Sequence, residues 1–371
     1  MMHQHVSTPG LFALTMYSTC STSLLSLPLI LGTMVQQDAW MIPLIAGSAG
    51  YLFVLLICKL GLLYPNKNLF DMTITAFGTA CGQVCNALLV LLAILTLFTV
   101  MNYSAGFISS HILVSTPNEW ILAISMTVVI YGVFLGTETY SMFAILSTPF
   151  FFLPYVLLIA LKMPEADGSL LLPMLQQPIT DYVSAFLFYF SITAINAVFL
   201  LTFFPQMAGD KKKAVQVIKL GYIFGNVILF IMTFLCTSVL GPHYMSTSYY
   251  PAFVLAQRIA LGGFVERVEV LITVIWFITI YFKITVYLTA IIYGVGRLSN
   301  LETYKPLSLP IGMLMVMLTV LAFSNTAEDL FYYRYIVSTL SLMIGITIPS
   351  ALLITTIIKK KRHASKGGVA K

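Results

Sequence analysis

Glu269, Trp276 and Lys283 recur every seventh residue in the stretch EVLITVIWFITIYFKITVYLTA, and Lys283 is an ammonium inside an otherwise apolar run. At 3.6 residues per turn that spacing keeps all three on nearly one helix face. Tyr287, one turn beyond Lys283, brings a phenolic hydroxyl to the same surface. At about 1.5 Å per residue Lys283 lies about 21 Å from Glu269 and about 21 Å from Arg297, too far from either interface to snorkel. It must face protein or water. A lysine this deep in hydrocarbon costs at least about 2.5 to 3.5 kcal/mol on insertion scales, so it requires a partner or a function. It can receive a ligand's carboxylate, or it can bond helix-end carbonyls and hold a bundle together.

Two hydroxyl-rich clusters offer a second chemistry. Ser18-Thr19-Cys20-Ser21-Thr22-Ser23 sits in the middle of the first apolar run, with Pro28 beyond it. Ser191-Ile192-Thr193-Ala194-Ile195-Asn196 sits in the middle of the sixth, with Pro205 beyond it. Matching clusters of small, polar residues followed by proline are the pattern of discontinuous helices. Unwound backbone in a membrane must find partners, and hydroxyls or a bound ligand supply them. The competing reading is close helix packing through small residues. Ser21, Ser23, Thr193 and Asn196 are therefore candidate ligand-binding residues, with Tyr103, late in the third run, as a candidate lid.

The elements that must position these groups are membrane spans. The chain has 371 residues, 59% hydrophobic and 9% charged, with a mean hydropathy of +0.95, whereas soluble domains carry roughly 25% charged residues. Ten apolar runs, at 9–35, 39–60, 82–108, 119–136, 140–161, 184–206, 214–240, 264–295, 307–324 and 331–357, are long enough to cross a bilayer as helices. The alternating ten-residue pattern of a membrane barrel is missing. The expected fold is an all-α integral membrane protein forming a single transmembrane domain over 1–371. It divides at the loop 162–183 into five spans (9–161) and five (182–357), followed by a basic tail (358–371). Fourteen of the nineteen Lys and Arg residues fall on the side of the N-terminus, which places both termini in the cytoplasm. The tail KKKRHASKGGVAK is a stop-transfer flank or a lipid-binding segment.

Several function classes drop out. The first run lacks preceding basic residues and a cleavage site, so it is expected to remain a span. The five cysteines lack the spacing of a zinc site or a disulfide framework and are expected to pack. No Walker-type glycine loop, nucleophile–base set or metal cluster occurs, so neither an enzyme, a metal, nor a cofactor is expected. The net charge of +6 reports topology and not nucleic acid. Asp38 is expected to cap the second helix, with Trp40 in the interfacial belt. Glu266, Arg267 and Glu269 are expected at the outer mouth, and His111 and His243 in solvated outer loops.

Four stretches, LFALTMYSTCSTSLLSLP (11–28), QDAW (37–40), FFPQMAGDKKK (203–213) and ERVEVLITVIWFITIYFK (266–283), resemble the B subunit of endospore germinant receptors, a branch of the amino acid–polyamine–organocation superfamily. The resemblance implies a LeuT-like 5+5 inverted repeat with broken first and sixth helices. It also implies a small nutrient germinant near the midplane, A and lipoprotein C subunits as partners, and the spore inner membrane as location. Where the family usually has glycines in the first break this chain has Ser21 and Ser23. Where it often has a Gly-Phe-Glu-like stretch this chain has Ala194-Ile195-Asn196. In similar transporters the eighth span borders the first near a cation site, so Lys283 gains a third reading, a fixed ammonium in place of that cation. The functions in play are a nutrient receptor subunit, an amino acid/cation symporter, and a channel element.

Overall fold

The computed structural model describes residues 5–207, 209–258, 269–301, 303–322 and 331–367. Among them are ten helical segments long and apolar enough to span a membrane, matching the ten runs in order. The first span is two helices, α1 (Thr8–Cys20) and α2 (Ser23–Val35), joined at Ser21-Thr22. The second is α3 (Met41–Leu63), after which the short α4 (Leu69–Phe77) leads into the third, α5 (Thr79–His111). The fourth and fifth are α6 (Asn118–Leu135) and α7 (Thr137–Lys162).

The second half repeats the plan. Its first span is α8 (Ile179–Thr193), which passes into a 3-10 segment, Ile195–Thr202. Then come α9 (Lys211–Leu235), a hairpin of α10 (Pro242–Thr247) and α11 (Pro251–Gln257), α12 (Glu269–Leu298), α13 (Ser308–Ala322) and α14 (Ser338–Gly367).

Local chemistry explains the two breaks. In α1 the Thr15, Ser18 and Thr19 hydroxyls donate to carbonyls three or four residues back, at 2.8, 3.0 and 2.8 Å, which competes with the helical ladder and favours bending. At Ser21 the backbone leaves the helix (φ −3°, ψ −119°), and the amides of Thr22 and Ser23 fall outside the ladder, which resumes at Leu24 N. In the sixth span the Asn196 side-chain amide donates to Ile192 O, and the eight-residue 3-10 stretch that follows is longer than the three or four residues such helices usually reach.

Burial ranks the spans. An 18-residue apolar stretch of the first, eighth and sixth spans is 94%, 83% and 72% buried, against 28% for the fourth and ninth. The broken spans and α12 thus form the centre, while α6 and α13 face outward. α1 packs on α7, α9 and α12, and α12 packs on α5 and α7. On the face away from the N-terminus, the α10–α11 hairpin lies against α2 and α12. On the N-terminal face, Val6 pairs with Met207 in a parallel bridge, donating from its amide to Gln206 O at 2.9 Å.

Asp38 does not cap the second helix. It ends a 3-10 turn, Gln36–Asp38, and its Oδ2 accepts from Leu175 N at 2.8 Å and from the Tyr182 hydroxyl. Gln37 adds a bond to Pro173 O. The acid is needed there because the extended linker between the halves, with Leu175 at φ +59°, has backbone donors that no helix can satisfy. Trp40 packs on Phe230 and Phe234 of α9, at ring distances of 6.4 and 6.2 Å.

Candidate functional site

Lys283 lies in α12, 1% exposed, and its ammonium donates to Thr22 Oγ1 at 3.2 Å. A lysine buried in mid-span therefore meets the break in the first span. Among the described residues no carboxylate pairs with it; ion pairs form elsewhere, at Lys162–Glu165 and Arg297–Asp71. Ser21 and Ser23 flank Thr22, are fully buried, and their hydroxyls have no hydrogen-bond partner among the described residues. An unmatched buried hydroxyl costs about 1 to 3 kcal/mol, so two of them beside an uncompensated cation form a site short of a ligand. Cys20 lies close enough to Lys283 to feel its charge, and Tyr17 stacks on Phe282 at 5.0 Å and 10°, fixing α1 against α12 beside the break.

One turn along α12, Tyr287 is buried and its ring meets Phe199 of the 3-10 segment edge-on at 5.2 Å. A single helix face therefore touches both breaks, the first through Lys283 and the second through Tyr287. Asn196 is 7% exposed, with its amide spent on Ile192 O. Thr193 is buried and its hydroxyl donates to Tyr189 O at 2.7 Å, while Tyr222 of α9 donates to Gly47 O at 3.2 Å. The structure thus brings Ser21, Ser23 and Lys283 together, joins Tyr287 to the second break, and leaves the Thr193 hydroxyl bonded within α8.

Tyr103 and Trp276 belong to a layer nearer the α10–α11 hairpin. The Trp276 ring lies 4.6 Å from Phe107 and 6.0 Å from Tyr103, and Tyr103 lies 5.4 Å from Tyr250. Tyr250 precedes α11, so this aromatic layer seals the bundle between Lys283 and that face. The Trp276 indole is fully buried and its N–H has no acceptor among the described residues. His111 ends α5 with its ring stacked on Phe107 at 5.2 Å and edge-on to Phe253 at 4.9 Å, so it extends the layer as well as meeting solvent. Glu266 and Arg267 lie outside the described residues, and Glu269 is described only as the first residue of α12.

Two strong anchors went unnoticed in the sequence. Lys162, fully buried, donates to both Glu165 oxygens, at 2.8 and 2.7 Å, and to Arg258 O at 2.8 Å, tying α7 to the end of the hairpin. Lys211 donates to the carbonyls of Phe204, Pro205 and Met207, at 2.8, 3.2 and 3.0 Å, closing the end of the broken sixth span. Thr22, between Ser21 and Ser23, is the residue of the cluster that accepts from Lys283. Its position at the centre of the hydroxyl cluster was the available signal.

The sequence profile of the family described as spore germination protein matches residues 5–327. The chain belongs to that family. Spore germination protein KB of Bacillus subtilis is 24% identical over 376 residues, covering all of both chains. Spore germination protein GerLB of Bacillus cereus is 25% identical over 276 residues, covering 71% of this chain and 69% of its own. Among solved structures, MhsT in complex with L-phenylalanine superposes with a TM-score of 0.69 at 16% identity, covering 95% of this chain and 92% of its own. Mhp1, a nucleobase-cation-symport-1 family transporter in a closed conformation with bromovinylhydantoin, gives 0.70 at 11%, covering 96% and 91%. These likenesses establish the LeuT fold, with its paired broken helices, for this member of the spore germination family. The chain is an integral membrane protein of germinant receptor or permease type.

Proposed function

We propose that this chain is the nutrient-sensing subunit of a spore germinant receptor. A small germinant, of which an amino acid is the expected class, binds where the first and sixth spans break. Binding shifts the bundle between conformations, and that shift passes to an A subunit and a lipoprotein C subunit in the spore inner membrane, with both termini cytoplasmic. Sensing of this kind requires the germinant to favour one conformation over the other. The observation that carries the reading is the buried, unpaired cation at the first break, flanked by two unmatched hydroxyls, in a member of the spore germination family. The reading assigns the chain no catalytic step.

A second reading, an amino acid/cation symporter, is favoured by the likeness to solute-bound transporters. Lys283 argues for the receptor. An ammonium covalently tied to α12 neutralises the site without itself crossing the membrane, so a site served by it needs no bound sodium ion. Replacing Lys283 by Ala in the spore-forming cell tests the receptor reading. The expected outcome is a lost or shifted germinant dose response with the chain still at wild-type level in the membrane. A wild-type dose response would refute it.

A further inference from the structure

We propose that the N-terminal face carries a site for one anionic phospholipid, whose headgroup phosphate is clamped by Lys67 and Lys359 at the end of α4. The two ammoniums converge on one residue. Lys67 Nζ donates to Thr75 Oγ1 at 2.7 Å, while Lys359 Nζ donates to Ala76 O at 2.7 Å and to Thr75 O at 3.5 Å. All three acceptors are neutral. Lys359 reaches them from 283 residues away, so it is the fold that gathers the two charges. An ammonium has three N–H donors, which leaves Lys67 two and Lys359 one for the oxygens of an anion. Nothing nearby neutralises the pair. The Thr75 hydroxyl already donates to Asp71 O at 2.8 Å, and the Asp71 carboxylate is taken by Arg297 at 2.9 Å. Among the described residues neither lysine has a carboxylate partner.

The position selects a lipid over a soluble anion. The clamp lies where three spans end: α3 stops at Leu63, α5 starts at Thr79, and the tenth span closes at Lys360. α14 packs on α3, α4 and α5, and Tyr64, just beyond α3, meets Thr356 Oγ1 of α14 at 2.7 Å. The clamp is therefore held at the level of the bilayer surface. On its membrane side the same span ends expose apolar side chains, Leu62 at 43%, Val84 at 61%, Ile354 at 59% and Ile358 at 47%. All four lie within about two turns of a span end, where they offer a wall to acyl chains. A soluble phosphate has no use for that wall. Lys59 and Lys360, both exposed on the same face, add to the attraction, and each lysine near an anionic surface strengthens binding about fivefold. The site stands apart from the helix breaks and does not depend on the nutrient-binding reading.

The test titrates the purified chain in neutral detergent with dioleoyl phosphatidylglycerol, dioleoyl phosphatidylcholine or glycerol 3-phosphate, and reads Kd from the bound species in native mass spectrometry. The wild-type chain is expected to bind the phosphatidylglycerol at least about tenfold more tightly than the phosphatidylcholine. Lys67→Gln with Lys359→Gln keeps a donor at each position and removes both charges, so phosphatidylglycerol binding should weaken at least about tenfold. Lys67→Arg with Lys359→Arg should restore it to within about threefold of wild type. Lys212→Gln with Lys213→Gln removes two exposed charges from the start of α9 on the same face and should also leave it within about threefold. Equal Kd for the two lipids overturns the proposal. An equal loss in the α9 variant and in the Lys67, Lys359 variant overturns it too, since the attraction is then one of net charge. Glycerol 3-phosphate binding as tightly as phosphatidylglycerol overturns the assignment to a lipid. The comparison of lipids on the wild-type chain decides the matter even where a variant fails to fold.

Discussion

Lys283→Met separates a ligand site from a strut, because the two roles predict opposite signs. The substitution keeps the length of the side chain and removes its charge. If Lys283 waits for a ligand, the empty protein bears an uncompensated ammonium costing at least about 2.5 to 3.5 kcal/mol. Its contact with Thr22, a long one at 3.2 Å from a charged donor, returns about 1.5 kcal/mol. The variant without ligand should therefore be more stable by about 1 to 2 kcal/mol, seen as a higher melting temperature in detergent or vesicles. Ligand binding should move the other way. A hydrogen bond to a charged group is worth about 1.5 to 3 kcal/mol, so Kd should rise roughly 10- to 150-fold. A lower melting temperature together with an unchanged Kd would refute this reasoning and make Lys283 a structural tie between α1 and α12.

Asp38→Ala strands the Leu175 amide and the Tyr182 hydroxyl and should cost about 1 to 3 kcal/mol, read from the melting temperature. Gly47→Ala drives a Cβ into the Asn226 amide and should cost about 1 to 3 kcal/mol; Asn226→Ala in the same chain should recover part of it in a double-mutant cycle. Lys162→Met cuts the tie between α7 and Arg258 O, so amide hydrogen exchange in α11 should quicken about tenfold. Asp71→Asn should change stability by less than about 1 kcal/mol, with a smaller effect at high salt, since the Arg297 and Asp71 side chains are 35% and 34% exposed.

The spans were legible in the sequence because a bilayer imposes one length and one composition on each, and the breaks because hydroxyls compete with the backbone within a single turn. Lys283 was legible for a related reason: an ammonium stands out against hydrocarbon. What the sequence did not show depends on distant pairing. Asp38 precedes a helix as a cap would, yet it serves the linker 137 residues away, whose need for a backbone acceptor appears only once the halves are packed. Lys162 looked like an ordinary basic residue at a span end, but Glu165 and a carbonyl of the hairpin enclose it. Thr193 shares its segment with Asn196, but its hydroxyl is spent on Tyr189 O one turn back in α8. Cys81 was expected to pack and is exposed, whereas Cys20, Cys58 and Cys236 are buried.

The most direct test of the central claim is binding and uptake of one radiolabelled ligand by the purified chain in sealed vesicles. The account predicts saturable binding that Lys283→Met weakens at least tenfold, with vesicle content never exceeding the bath under a sodium, potassium or proton gradient. Accumulation above the bath driven by any of these gradients, or binding that Lys283→Met leaves intact, would contradict it.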